Sequence, residues 1–310
     1  MTTTLRRRPI LLISAAAVAM AVIVIAAWAK AGDTAMSIPE ALLLGIVEGL
    51  TEFLPVSFTG HLEVTLQLLG LNDTKAMKDA SDAYAIAIQA GAIVAVLGIY
   101  RRRIADALLA IAGRGHDPVG GRRLAIALVV AFIPSAVVGL AFEKSIKAHL
   151  FGLWPIIGAW LVGGVVILLW PETANRAGRA LETIGWRDAL IIGLAQCLAL
   201  WPGTSRSLVV ILAALAVGLS IAASVEFAFL LGLLTLGAAT LHEAISKGHL
   251  IIDRFGWTAP IVGFVAAFVS AAAAVLWMIT YVQRHGMRVF GWYRIAVACI
   301  VAVLALTVLS

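Results

Sequence analysis

Residues Ile10 to Ala29 are twenty consecutive positions without a charged side chain, and runs of similar character recur down the chain. Twenty residues of helix cover about 30 Å, the thickness of a bilayer's hydrocarbon core. Inside lipid a chain must satisfy its own backbone hydrogen bonds, which leaves helices or closed barrels. The apolar runs are too long and too uninterrupted for barrel strands, so the expected fold class is all-α, a polytopic integral membrane protein. Charged residues are only 13% of the 310, too few for a soluble globule of this size. Twenty-eight glycines among many alanines suit close helix packing in lipid.

Arginine gathers in the short connections. Arg6, Arg7 and Arg8 precede the first span, and Arg101 to Arg103 follow the span Ala83–Tyr100. Arg114, Arg122 and Arg123 lie in the next connection, Arg176, Arg179 and Arg187 in a later one, and Arg284, Arg288 and Arg294 before a last span at Ile295–Leu309. This pattern places those connections and the N-terminus on the cytoplasmic side. It also accounts for the net charge of +6 without nucleic acid, since no aromatic-basic module accompanies it. Further spans are expected at Leu124–Phe142 with a kink at Pro134, Phe151–Trp170, Ile221–Ala239 and Trp257–Val282. Glu143–His149 and His242–Arg254 are then outer connections. Residues 1–36 read as an N-terminal extension with an extra transmembrane helix or an uncleaved signal anchor. Residues 37–310 read as one membrane-embedded domain of two repeats, approximately 37–170 and 188–310. Cys197 and Cys299 are expected as small core hydrophobes, and the tryptophans as interface anchors.

One stretch departs from the apolar background: EGLTEFLPVSFTGH, Glu48 to His61. Glu48 and Glu52 are four apart and share a helix face. Pro55 removes a backbone donor and biases Leu54 away from helical geometry, so the helix is expected to stop there. Ser57, Thr59 and His61 follow at alternate positions, with Gly60 allowing a sharp turn. Ionisable groups at membrane depth are costly and mark a functional site by default. A second break, WPGTSRS at residues 201–207, interrupts the apolar run that starts at Ala189. At an offset of 148 residues Gly45 falls on Gly193, Glu48 on Gln196, Ser57 on Ser205 and Thr59 on Ser207. The chain therefore reads as an internal repeat, and the loop charges make it an inverted one. Its two re-entrant, broken helix segments are expected to meet near the midplane.

The polar residues suit an anion. The planar fork of Arg206 matches phosphate or carboxylate. It follows Gly203, Thr204 and Ser205, whose backbone N–H groups can form an anion nest, and a helix starting near Ser205 adds its own attraction. The plainer alternative is an ion pair of Arg206 with Glu52 that pins two broken helices. Glu48 and Glu52 fit a divalent cation bridging phosphate oxygens, or a general base for water. Alternatively one of them couples to protons or faces a polar cavity. His61 fits proton transfer, and Gln196 and Glu226 are further candidates for the same cavity. By themselves these residues point to a phosphate-bearing or otherwise anionic ligand and do not separate hydrolysis from transport.

The motifs resemble those of the BacA/UppP-type undecaprenyl-diphosphate phosphatases, from about Ser37 to the C-terminus. The resemblance is carried by EGLTEFLPVS and TGH in residues 48–61, IQAGAI at 88–93 and QCLALWPGTSRS at 196–207. It implies release of inorganic phosphate from the diphosphate of a polyprenyl carrier, recycling the lipid for peptidoglycan synthesis, an activity tied to bacitracin resistance. It further implies the bacterial inner membrane, a site open to the outer face, and a divalent cation, Mg²⁺ or Ca²⁺. The partners would be the polyprenyl diphosphate lipid and the bilayer, with a homodimer left open. Glu48 and Glu52 match the family's paired glutamates, His61 its histidine and Arg206 its arginine. Ser57, Thr59, Gly203, Thr204, Ser205 and Ser207 are the implied phosphate contacts. Phe58 stands where the family has the second serine of P-V-S-S-T-G-H, and Leu208 where glycine usually follows S-R-S. A phenyl ring has no nucleophilic oxygen. Attack by water or hydroxide tolerates it. A required phosphoserine there would leave a polyprenyl-phosphate flippase or transporter, or a non-catalytic lipid-binding paralogue.

Overall fold

The computed structural model describes residues 36–72, 74–171 and 178–307. The span expected at Ile10–Ala29, with Arg6 to Arg8, lies outside the described residues, as does Arg176. Among the described residues there are ten α-helices: α1 Ile38–Thr51, α2 Phe58–Leu68, α3 Lys75–Ile111, α4 Pro118–Leu150, α5 Leu153–Leu169, α6 Trp186–Gln196, α7 Arg206–Ala216, α8 Ile221–Phe255, α9 Thr258–His285 and α10 Arg288–Thr307. Short 3-10 turns lie at Leu181–Thr183 and Cys197–Leu200. Helices α3, α4, α8, α9 and α10 contain segments long and apolar enough to cross a membrane, so the protein is an all-α polytopic membrane protein. Helix α5, expected as a full span, has 17 residues and covers about 25 Å.

Charge does not end these helices where the sequence reading ended them. Arg101 to Arg103 lie inside the 37 residues of α3, and Glu143 to His149 lie inside α4. Residues 242–254, expected as an outer connection, continue α8. Arginine, lysine and glutamate are good helix formers, so charge marks where hydrocarbon ends and not where the helix ends. Local chemistry sets the starts instead. Ser37 caps α1 in a capping box, with its N–H donating to Glu40 Oε2 at 2.7 Å. Asp117 caps α4 by accepting from the Gly120 N–H at 2.9 Å.

The chain forms two compact units. The first comprises the chain up to Glu52, His61–Val96 and Gly237–Leu276. Its helices approach through small residues: a Cβ on Gly45 would lie 2.4 Å from the Gly263 carbonyl, and one on Gly49 2.1 Å from Ser270 Oγ. The Tyr84 hydroxyl donates to the Ala41 carbonyl at 2.9 Å. The second unit comprises Phe53–Gly60, Leu97–Leu236 and the chain from Trp277 on. There, too, glycine permits contact, since a Cβ on Gly193 would lie 2.5 Å from the Ala131 carbonyl of α4.

Two positions of the chain share their local structure. Helices α6 and α7 begin 148 residues after α1 and α2, and α7 ends 148 residues after α2. Ser57, with φ of 72°, and Ser205, with φ of 74°, are the non-glycine residues with positive φ among those described. They occupy equivalent positions, each directly ahead of an eleven-residue helix. Backbone strain at both points is unusual for serine and marks these breaks for function.

Candidate active site

In the first unit, Glu48 is fully buried on α1 and Glu52, the residue that caps its C-terminus, is 4% exposed. The Thr51 hydroxyl donates back to the Val47 carbonyl at 2.7 Å, so it is used within the helix. His61 is half-buried in α2, and its carbonyl accepts from the Thr65 hydroxyl. Glu48 and Glu52, two buried carboxylates one turn apart, are oxygen donors of the kind that would hold a divalent cation, which would supply positive charge against a phosphate. Among the described residues no group of three or more His, Cys, Asp or Glu side chains gathers as a self-sufficient metal cage.

In the second unit the two breaks are bonded to each other. The Ser207 hydroxyl donates to the Leu54 carbonyl at 2.9 Å, and the Ser205 hydroxyl lies 3.4 Å from the same oxygen. Ser205 also caps α7, accepting from the Leu208 N–H at 3.3 Å. Each serine has one proton to donate, so these hydroxyls tie the breaks together, a use that sequence spacing did not show. Arg206 opens α7, where the first N–H groups precede the helix's own ladder and its dipole favours an anion. Its Nη1 donates to the Thr235 hydroxyl at 3.0 Å, and that hydroxyl donates on to the Leu231 carbonyl. Ser57 is buried, while Phe58 and Thr59 are half-buried in the first turn of α2.

Gly60 has a role other than the one expected. It sits in helical backbone, and a Cβ there would lie 2.4 Å from the Trp160 ring. Trp160 is fully buried, unlike an interface anchor, and its Nε1–H donates to the Val56 carbonyl at 2.8 Å. Gly203 has φ of 92°, and a Cβ on it would lie 2.7 Å from the Ile156 carbonyl. Cys299 faces outward on α10 and Cys197 is half-buried, so neither is the core residue expected.

Arg294 was expected in a cytoplasmic connection and is instead fully buried in α10. Its guanidinium donates to four backbone carbonyls: Pro55 at 3.2 Å, Ala159 at 2.9 Å, Gly203 at 2.8 Å and Trp160 at 3.4 Å. The signal was present in the sequence. Phe290, Gly291, Arg294, Ala298, Val301 and Ala305 recur at helical spacing and form the buried face of α10.

Gln196 and Glu226 have separate engagements. Gln196, buried at the end of α6, donates from Nε2 to Ser135 Oγ at 2.5 Å. Glu226 accepts from Arg103 Nε at 2.7 Å, and Arg103 Nη2 also pairs with Glu182. Backbone N–H donation, followed by the Arg103 guanidinium, holds the Glu182 carboxyl below the usual carboxylate range, against the opposing effect of burial. The arginine triplet of α3 is thus partly an internal structural element.

A family model described as bacitracin resistance protein BacA matches residues 41–300. The undecaprenyl-diphosphatase 2 of Rhodospirillum rubrum is 46% identical over 264 residues, which is 84% of this chain and 93% of the relative. The undecaprenyl-diphosphatase 1 of Chromobacterium violaceum is 46% identical over 265 residues, covering 84% of this chain and 94% of the relative. That of Sorangium cellulosum is 42% identical over 267 residues and covers 84% of each. A match running through both helix breaks, with relatives this similar over nearly their whole length, establishes that the chain belongs to the BacA family.

Proposed function

We propose that the two helix breaks carry the hydrolysis of undecaprenyl diphosphate to the monophosphate and inorganic phosphate. The protein is a hydrolase of the bacterial plasma membrane that acts on a phosphoric anhydride and recycles carrier lipid for cell-wall synthesis. One observation supports this site above others. Arg206 stands at the head of α7, in a break held to the other break by Ser207 and Leu54. A fixed guanidinium and a helix N-terminus suit the charge that builds on a phosphate under attack.

In this reading Arg206 binds the terminal phosphate, joined by the backbone N–H groups of residues 203–207 and the hydroxyls of Ser57 and Thr59. Ser205 and Ser207 contribute their backbone, while their hydroxyls keep the breaks in register. Glu52, assisted by Glu48, orients a water and takes its proton as the oxygen attacks the terminal phosphorus. The bond to the bridging oxygen breaks, and His61 supplies the proton that the leaving monophosphate requires. A Mg²⁺ or Ca²⁺ ion held by Glu48 and Glu52 would neutralise phosphate charge. Phe58 is compatible because the attacking oxygen comes from water.

The proposed topology is an inverted repeat with two re-entrant segments, a cytoplasmic N-terminus and a site open to the outer face. The matching helix starts and the paired strained serines support the repeat, and the arginine placement supports the orientation. The test is phosphate release from undecaprenyl diphosphate by purified protein in detergent with Mg²⁺ or Ca²⁺. Release is expected to need the cation and to fall at least about 100-fold in Glu52→Gln. Arg206→Ala should lose turnover far more than lipid binding. No release from folded wild-type protein that binds the lipid refutes the reading and favours carrier-lipid transport.

A further inference from the structure

We infer that Arg294 is a positioning residue of the phosphate site, a buried clamp that fixes both helix breaks through their backbone carbonyls. The inference rests on the site proposed above and assigns a role to a residue 88 positions beyond Arg206 in the chain.

The guanidinium reaches one carbonyl of each break, Pro55 and Gly203, and anchors itself to α5 through Ala159 and Trp160. All four acceptors are neutral. A fully buried cation held this way is a poor device for stability alone, because an apolar side chain would avoid its desolvation. What the arrangement achieves is geometric. A break in a helix leaves carbonyls without their ladder partners, and buried carbonyls need donors. Pro55 and Gly203 lie where the chain turns out of helical structure, and a single planar fork with five donors serves both. A lysine ammonium, a point charge with three donors, cannot span the same set.

The surroundings are shaped to admit this side chain. A Cβ on Gly163 of α5 would lie 2.3 Å from Arg294 Nη2 and 2.7 Å from its central carbon. Gly203 is three residues before Arg206, and Pro55 is two before Ser57. Holding both carbonyls therefore fixes the head of α7 relative to Ser57 and Thr59. Arg294 touches no reacting atom in this scheme. It acts by keeping phosphate-binding groups in register, and displacement of such groups by about 1 Å can lower a rate about 100-fold.

Two variants test this. Arg294→Lys keeps the charge and loses the fork, while Gly163→Ala keeps Arg294 and pushes on its guanidinium. Each is compared with wild type by steady-state phosphate release and by amide hydrogen exchange. In both variants kcat is expected to fall about 100-fold, with KM within about threefold of wild type. Exchange should rise about tenfold in residues 53–60 and 201–208 together, with α3, α4 and α8 unchanged. Wild-type exchange in both breaks, a rise in one break only, or a rise spread through all helices overturns the clamp. If Arg294→Lys does not fold, Gly163→Ala decides. Loss of fold in both overturns the clamp in favour of a general structural role. The exchange measurement needs no substrate, so a wild-type protein that released no phosphate would sink the phosphatase reading and leave the clamp to be judged separately.

Discussion

Replacing Gly203 with alanine perturbs the second break at its tightest point. The residue has φ of 92°, a conformation that costs an L side chain about 1–3 kcal/mol. The added Cβ would also lie 2.7 Å from the Ile156 carbonyl, 2.9 Å from Ala159 Cβ and 3.0 Å from Ile156 Cα. Two of these neighbours are backbone atoms of α5 and cannot rotate away, so overpacking adds about 1–3 kcal/mol. If the break stays in place, the loss of stability is about 2–6 kcal/mol. If it moves instead, it gives up the 2.8 Å bond from Arg294 to the Gly203 carbonyl, and Arg206 moves with it. In that case stability is largely kept and turnover falls about 100-fold. Gly98, on α3, is the control, because a Cβ there meets nothing within 4 Å. Alanine at Gly98 should be harmless or stabilise by up to about 1 kcal/mol. Denaturation in detergent, run beside phosphate release, separates the routes. A Gly203→Ala protein with wild-type stability and wild-type turnover would refute the account of the break.

Two further outcomes are expected. Phe58→Ser places a hydroxyl at the first position of α2, beside Ser57. If that hydroxyl can reach the phosphate, one hydrogen bond to a charged group is worth about tenfold in turnover, and an unchanged rate shows that the position is unused. The second concerns Glu182, whose carboxyl is held low by backbone N–H groups and Arg103. A folded pKa below the unfolded one contributes stability above about pH 4.5, and that contribution is lost as pH falls through the folded value. Melting temperature measured from pH 3 to 6 should therefore drop less steeply in Glu182→Gln than in wild type. Parallel profiles would show that the Arg103–Glu182 pair does not couple to folding.

Features that depend on near neighbours were legible in the chain. Apolar runs of about twenty residues require membrane helices whatever surrounds them, because lipid offers no partner to an unpaired amide. Pro55 and the Pro202–Gly203 pair interrupt helices locally, so the position of both breaks follows from near neighbours in the chain. The offset of 148 residues was visible in residue types and reappears in helix starts and in the strained serines. Arg206 at the head of a helix followed from the same local reasoning.

Other assignments turned on what a distant segment presents. Ser205 and Ser207 look like phosphate ligands until the Leu54 carbonyl, more than 150 residues earlier, receives their protons. Glu226 looks like a cavity residue until Arg103 is found against it. In the sequence Arg294 resembles a loop arginine, because charge near the end of an apolar run ordinarily faces water. Its place in the interior was decided by four carbonyls from three segments and by a glycine that leaves room for the guanidinium. Sequence alone determined that this protein is an all-α polytopic membrane protein with two polar motifs at which helices end, since periodicity and proline act within a few residues. Only the tertiary structure decided which polar group serves which break, because a buried donor is assigned by the acceptor it meets and not by its neighbours in the chain.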